Sequence, residues 1–267
     1  MPTTRFTEDL ILPYGAYNSL LELLTEDNLL VLTALGTVCD QLEEVASILL
    51  NIFESQGSAV RYLSQLIAHE VKTCKDANTI FRGNTLTSKS LDTYMKVVGH
   101  DYLASVLKET LDEIFTEKKI CELDPTRIEL VTLFPSLFFL RKSISQYFFP
   151  MQMIVQTMFE KTVGPLKVQE AQSKNLKNIL GYITKIVNSI FESVDRCPRS
   201  MRVIFGFLQE EVAKQFPDVA VAKYSAVSGF IFLRFFCPCV LGPKLFGLRD
   251  DLPHGPTLRT LTLLAKM

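Results

Sequence analysis

Residues 91–115 read LDTYMKVVGHDYLASVLKETLDEIF. Leu91, Tyr94, Met95 and Val98 recur at i, i+3, i+4 and i+7, the spacing that lines one face of an α-helix. Gly99 interrupts the pattern, and Leu103, Val106, Leu107, Leu111, Ile114 and Phe115 resume it. The stretch therefore predicts two amphipathic helices, each with one buried face. Further along the chain, Leu180, Ile183, Val187, Ile190 and Phe191 make another such stripe, and Ile204, Phe207, Leu208 and Val212 make one more. Val-rich alternating runs joined by Asn-Gly turns do not occur, so nothing reads as a β-hairpin. No internal repeat or low-complexity tract appears. The expected fold class is all-α, as one elongated helical domain.

The bulk composition agrees with a folded core. The chain has 267 residues, 48% hydrophobic and 21% charged, which takes it out of the disordered class. Its formal net charge is -1, so nothing electrostatic argues for nucleic acid as a partner. The six cysteines contain no CxxC pair, and the three histidines are far apart, so zinc spacing is absent. The cysteines read as buried, reduced thiols. The first ten residues, MPTTRFTEDL, carry acids where a secretory signal needs an apolar run, which predicts an intracellular protein.

Two stretches depart from the amphipathic rule. Residues 226–236, AVSGFIFLRFF, are apolar nearly all round and read as a helix buried inside the domain, ending near Pro238. Within it lies one charge, Arg234. A guanidinium in such a place needs a partner. Residues 143–159 hold 17 residues without a charge, the lower limit for a membrane span. Pro150 and several Ser and Gln residues interrupt them, so a buried hairpin or an added segment is the better reading, and no span is expected.

The remaining oddity is IFRGNTL at 80–86. Residues 76–84 are poor helix formers and read as a loop. Gly83 frees the backbone beside Arg82, Phe81 packs inward, and Thr87 or Ser88 caps the helix that follows. An arginine held out on such a loop suits an anionic site on a partner, because its planar fork matches phosphate oxygens and stays charged. Taken alone, FRG is better read as a solvated surface tripeptide.

The wider sequence changes that balance. FRGNTLTSKSLDTYMKVVGHDYL, residues 81–103, resembles the finger loop and following helix of the Ras GTPase-activating proteins, the RasGAP family. SGFIFLRFFCPCVLGPKLF, residues 228–246, resembles that family's second block. CELDP at 121–125, GPTLRTLTLLAK at 255–266 and LILPYGAYNSLLELL at 10–24 fit in order. The last of these is similar to a branch whose domain lies between lipid-binding domains and a pleckstrin-homology domain.

This resemblance implies an all-helical domain over residues 5–267 that binds GTP-loaded Ras-type, with Rap-type as a further candidate, small GTPases. It implies Arg82 as the catalytic finger inserted in trans and Arg234 as the residue that braces the finger loop. Phe81, Gly83, Asn84, Thr85, Leu86, Lys89, Leu233 and Pro238 fall where the family meets Ras. The protein would need no cofactor of its own, since GTP and Mg2+ belong to the partner. It would act as a monomer in the cytoplasm, recruited to the inner face of the plasma membrane. No P-loop, Ser-His-Asp set or metal cluster is present in the sequence, so activity would arise only in a composite site.

Three departures temper the match. The chain stops at Met267, where the family continues into further helices, which implies a domain short at its C-terminal end. Residues 129–163 have no counterpart and read as an atypical apolar insertion. Cys237-Pro238-Cys239 stands where Pro-Ala is usual, a mild change because cysteine packs as a small hydrophobe. The first two leave an alternative open: a catalytically impaired module that binds Ras-GTP or another partner.

Overall fold

The computed structural model describes residues 13–26, 29–128 and 165–267, and the apolar insertion lies outside them. All-α is the observed class, with no strand among the described residues. The contacts gather into two compact units, Met1–Tyr94 with Ser200–Ser228, and Met95–Arg199 with Gly229–Met267.

The first unit opens with α1 (Asn18–Thr25), α2 (Leu30–Val38), α3 (Leu42–Ser55) and α4 (Ala59–Thr73). Its core is Leu49, Leu50 and Phe53 from α3 with Tyr62, Leu63, Leu66 and Ile67 from α4. The rings of Phe53 and Tyr62 stack at 4.2 Å. A buried tyrosine needs a partner for its hydroxyl, and Tyr62 finds Ser90 Oγ at 2.9 Å. Burial pushes the Tyr62 phenol up to about 12, against the opposing effect of that bond. Ser90 lies in α5 (Leu86–Val98), so the bond ties α4 to the helix that follows the Arg82 loop. The unit is completed by α8 (Arg199–Gln215), which buries Met201, Ile204, Phe205, Leu208 and Val212, close to the stripe expected from the sequence.

In the second unit α6 (His100–Glu117) is central. Leu103, Val106, Leu107, Leu111, Ile114 and Phe115 are all buried, as their spacing predicts. Gly99 separates α5 from α6, and its φ is -94°, so conformational freedom is not the reason for glycine. A Cβ there would stand 2.5 Å from Phe235 Cζ and 2.6 Å from the Met95 carbonyl oxygen. The position is glycine because Phe235 presses against the backbone.

The long α7 (Pro165–Phe191) forms where the stripe predicts a helix, but it turns a different face inward. Val168, Asn175, Ile179 and Tyr182 are buried, while Leu180, Val187 and Phe191 are exposed. The inward polar residues carry specific bonds: Asn175 Nδ2 donates to the Glu122 carbonyl at 2.9 Å, and Tyr182 Oη donates to Glu117 Oε2 at 2.5 Å. Periodicity counts apolar residues and cannot see partners for Asn and Tyr, so it selects the wrong face.

The helix read as buried all round also needs correction. It runs as α9 (Ala222–Ile231), a π-helical turn (Phe232–Phe236) and α10 (Cys237–Leu241). Pro238 does not end it. Proline has no N–H, and its ring collides with the carbonyl four residues back in a regular α-helix. The wider π turn relieves this, with the Cys237 N–H donating to the Phe232 carbonyl five residues back. Phe235, Phe236 and Cys239 are buried, whereas Phe232 and Leu233 are exposed. Of the six cysteines only Cys121 and Cys239 are buried, so that reading holds for two. The chain closes with α11 (Gly255–Leu264).

Candidate functional site

The Arg82 loop begins where α4 ends. Asp76 caps a 3-10 turn (Ala77–Thr79), its Oδ1 accepting from the Asn78 N–H at 2.9 Å. The Arg82 N–H then donates to the Thr79 carbonyl at 3.1 Å. Between them Phe81 takes φ 56°, a left-handed conformation that costs a bulky residue roughly 1–3 kcal/mol. Its ring is 2% exposed, and burying a phenylalanine is worth about 2–3 kcal/mol. Burial offsets the strain. The reversal at Phe81 buries one side chain and leaves the next exposed.

This relocates the unusual backbone. Gly83 has no positive φ, and a Cβ there would meet only Thr85 Cγ2 at 3.6 Å. The conformational demand falls on Phe81, not on Gly83. Spacing could not reveal it, because a phenylalanine gives no sequence sign of a left-handed φ.

Arg82, Gly83 and Asn84 are exposed. Among the described residues the Arg82 guanidinium has no hydrogen-bond or ion-pair partner. Just past it the backbone is tied down. Helix α5 is capped by Thr85, not by Thr87 or Ser88, both buried inside its first turn. The Ser88 N–H donates to Thr85 Oγ1 at 3.1 Å, and the Thr85 N–H donates to Ser88 Oγ at 3.0 Å. This is the reciprocal arrangement of a capping box, with serine in the place of the usual glutamate. Leu86 is buried, and the Lys89 ammonium pairs with Glu43 of α3. Phe81, Arg82, Gly83, Asn84, Thr85, Leu86 and Lys89 are thus one continuous, internally bonded segment of the first unit.

Leu233, Arg234 and Pro238 lie on the π turn and its exit in the second unit. Leu233 is 63% exposed. Arg234 is half-buried, its guanidinium carbon 5.9 Å from the centroid of the Phe230 ring, within the range of a cation–π contact. That contact is part of how an apolar helix carries a charge.

The second unit also joins two stretches that the sequence reading matched separately. Glu122 of CELDP, 4% exposed, takes a two-pronged bond from Arg259 of GPTLR, with Arg259 Nε to Oε2 at 2.7 Å and Nη2 to Oε1 at 2.8 Å. The N–H groups of Leu123 and Asp124 donate to the same carboxylate at 3.1 Å each. Burial alone would raise the Glu122 carboxyl, but Arg259, the Asp124 N–H and the charge of Arg127 outweigh it and hold the group below its ordinary value. Asp124 then caps the next turn, accepting from the Thr126 N–H at 3.1 Å, with Pro125 at the first helical position.

The sequence that builds these arrangements has known relatives. The family described as GTPase-activator protein for Ras-like GTPase matches residues 62–267. The chain belongs to the RasGAP family. Among curated relatives, the probable Ras GTPase-activating-like protein ngap of Dictyostelium discoideum is 36% identical over 98% of this chain and 26% of its own length. The human RasGAP-activating-like protein 1 is 37% identical over 98% of this chain and 31% of its own length. A GTPase-activating protein of Drosophila melanogaster is 34% identical over 98% of this chain and 20% of its own length. The chain thus spans between a fifth and a third of the length of these relatives. Both loops singled out for Arg82 and Arg234 lie inside the matched RasGAP region.

Proposed function

We propose that this RasGAP domain accelerates GTP hydrolysis by a Ras-type small GTPase, with Arg82 inserted in trans into the partner's nucleotide site. The observation that carries the reading is the state of Arg82: an exposed guanidinium without a partner among the described residues, on a backbone fixed on both sides. A charge held in position and left unneutralised is poised to be neutralised elsewhere.

The chemistry follows from where charge moves. As the bond to the γ-phosphoryl group breaks, negative charge gathers on the β–γ bridging oxygen and the γ oxygens. A cation placed there binds the transition state more tightly than the ground state, which is the condition for acceleration. Arginine fits because its fork donates in two directions and cannot lose its proton. For Ras and its activators in general, an arginine supplied in trans is known to be worth roughly 10³–10⁵ in rate. GTP and Mg2+ arrive with the partner, and this chain needs no cofactor of its own. Arg234 is the second arginine of the reading, with the bracing role that the family resemblance gives it. The finger segment of the first unit, and Leu233 with Pro238 of the second, are the residues that the family resemblance gives to the contact with Ras. The domain would meet GTP-loaded Ras at the inner face of the plasma membrane.

The test is single-turnover hydrolysis of GTP preloaded on purified Ras, with and without this chain. Acceleration by the wild-type chain and its loss in Arg82→Ala supports the reading. Binding of Ras-GTP without acceleration selects the impaired module instead. Equal activity of wild type and Arg82→Ala removes Arg82 from the mechanism.

A further inference from the structure

Glu70 stands in the last turn of α4. An acid there opposes the helix macrodipole, at a cost of about 0.3–1 kcal/mol, so the helix alone gives no reason for it. Its carboxylate is engaged at a distance of fifteen residues: Thr85 Oγ1 donates to Glu70 Oε2 at 2.6 Å. A hydroxyl bonded to a carboxylate is among the stronger hydrogen bonds available to a side chain. The same Thr85 oxygen accepts from the Ser88 N–H at 3.1 Å. The Ser88 side chain, fully buried, accepts from the Thr85 N–H and has the Gly83 carbonyl oxygen at 2.9 Å and the Thr85 carbonyl oxygen at 3.0 Å within reach of its one proton.

These bonds form one chain, from α4 through Thr85 and Ser88 to the carbonyl of the residue directly after Arg82. We infer that Glu70 is a positioning residue for Arg82, acting through the Thr85 and Ser88 hydroxyls to fix the exit of the finger loop. The inference rests on the reading of Arg82 as the finger. The carboxylate is well used this way. Paired with Arg82 itself, it would neutralise the charge the partner needs. Bonded to Thr85, it orders the loop and leaves the guanidinium unpaired. Preorganisation of this kind acts on the rate more than on binding, because a small misplacement of a catalytic group costs rate steeply.

The experiment compares wild type, Glu70→Ala, Glu70→Gln, Arg82→Ala and the double variant Glu70→Ala/Arg82→Ala. The probe is Ras loaded with GTP, and the maximal single-turnover rate and half-saturating concentration are read separately, with a thermal melt of each protein. Glu70→Ala is expected to lower the maximal rate about tenfold to a hundredfold. The half-saturating concentration and the melting midpoint should stay close to wild type. Glu70→Gln keeps an acceptor for the Thr85 hydroxyl and should recover most of the rate. In the Arg82→Ala background, removal of Glu70 should change nothing further, the non-additivity expected of residues acting as a unit. An unchanged rate in Glu70→Ala overturns the inference, as does a loss matched by a fallen melting midpoint, failure of glutamine to rescue, or an additive double variant. If Arg82→Ala itself retains wild-type acceleration, the finger reading fails, and this inference with it.

Discussion

Arg82 in the first unit and Arg259 in the second carry the same planar guanidinium in opposite circumstances. Arg259 gives two parallel bonds to a buried Glu122, and Arg249, ten residues earlier, is also engaged, between Asp112 and Asp251 and over the Phe115 ring. Arg82 makes no bond from its side chain among the described residues, while the backbone around it is held at almost every step. In the second unit arginine holds the fold together. In the first the fold holds an arginine out. Hydrogen bonding lies on the loop and not on the head group, the arrangement that the proposed role of Arg82 requires.

Arg82→Ala tests the contrast between the two arginines most directly. Acceleration of Ras-GTP hydrolysis should fall by about 10³ or more, with the melting midpoint unchanged, because an exposed side chain without a partner contributes little to stability. Arg82→Lys should remain close to the alanine variant, since a point charge does not reproduce the fork. A destabilised Arg82→Ala would mean that the loop relies on the head group after all.

Glu122→Gln attacks the other side. It leaves Arg259 without its carboxylate, and removing one partner of a buried pair costs roughly 3–5 kcal/mol. The Arg259 side chain is 24% exposed, so the low end applies, about 3 kcal/mol. Urea unfolding at neutral pH measures it. The acid limb gives a second reading. The folded Glu122 carboxyl lies below its usual 4.5, so its contribution is complete above that pH and is lost as the pH falls through the folded value. Wild-type stability should therefore drop faster than that of Glu122→Gln as the pH is lowered below 4.5. Parallel acid limbs would show that the pair is not what sets the acid response.

Much of this was legible in the sequence, and the failures share a cause. The α6 stripe was readable because every buried position on it is apolar or small. The inward face of α7 was not, because Asn175 and Tyr182 are buried through partners on segments distant in sequence, and the exposed Leu180, Val187 and Phe191 outnumber them as hydrophobes. Pro238 reads as a stop signal, and a local π turn cancels it. The FRG and FLR arginines could be picked out by motif. Glu70 could not, since its link to Thr85 crosses fifteen residues and leaves no periodic sign. The true N-cap was missed by two residues for the same reason: the bonds that choose Thr85 run through Ser88 and Glu70, and no local preference ranks Thr85 above Thr87.

Arg234 lies between the two extremes, half-buried over an aromatic ring. Arg234→Ala should lower the maximal rate of Ras-GTP hydrolysis by about 10–10², a smaller loss than at Arg82. Helical content by circular dichroism should be nearly unchanged. A cooperative loss of helix would place Arg234 with Arg259 as part of the framework. A rate equal to that of Arg82→Ala would place it with the chemistry.

Gly83 and Phe81 decide the shape of the Arg82 loop in different ways. If the conformational demand lies at Phe81 and not at Gly83, alanine at 83 meets no obstacle, since its backbone is outside the left-handed region and its Cβ finds only ordinary contact. Replacing glycine at a compatible position reduces the freedom of the unfolded chain and stabilises by about 0.4–1 kcal/mol. Gly83→Ala should thus raise the melting midpoint slightly. The contrasting change is Phe81→Gly, which relieves a left-handed strain of roughly 1–3 kcal/mol but empties a buried ring site, where removing a phenylalanine costs about 3–5 kcal/mol. The cavity outweighs the relief, and the net effect should be destabilising. A stabilised Phe81→Gly would mean that strain dominates at this residue, and that the inward packing of Phe81 is not what holds Arg82 outward.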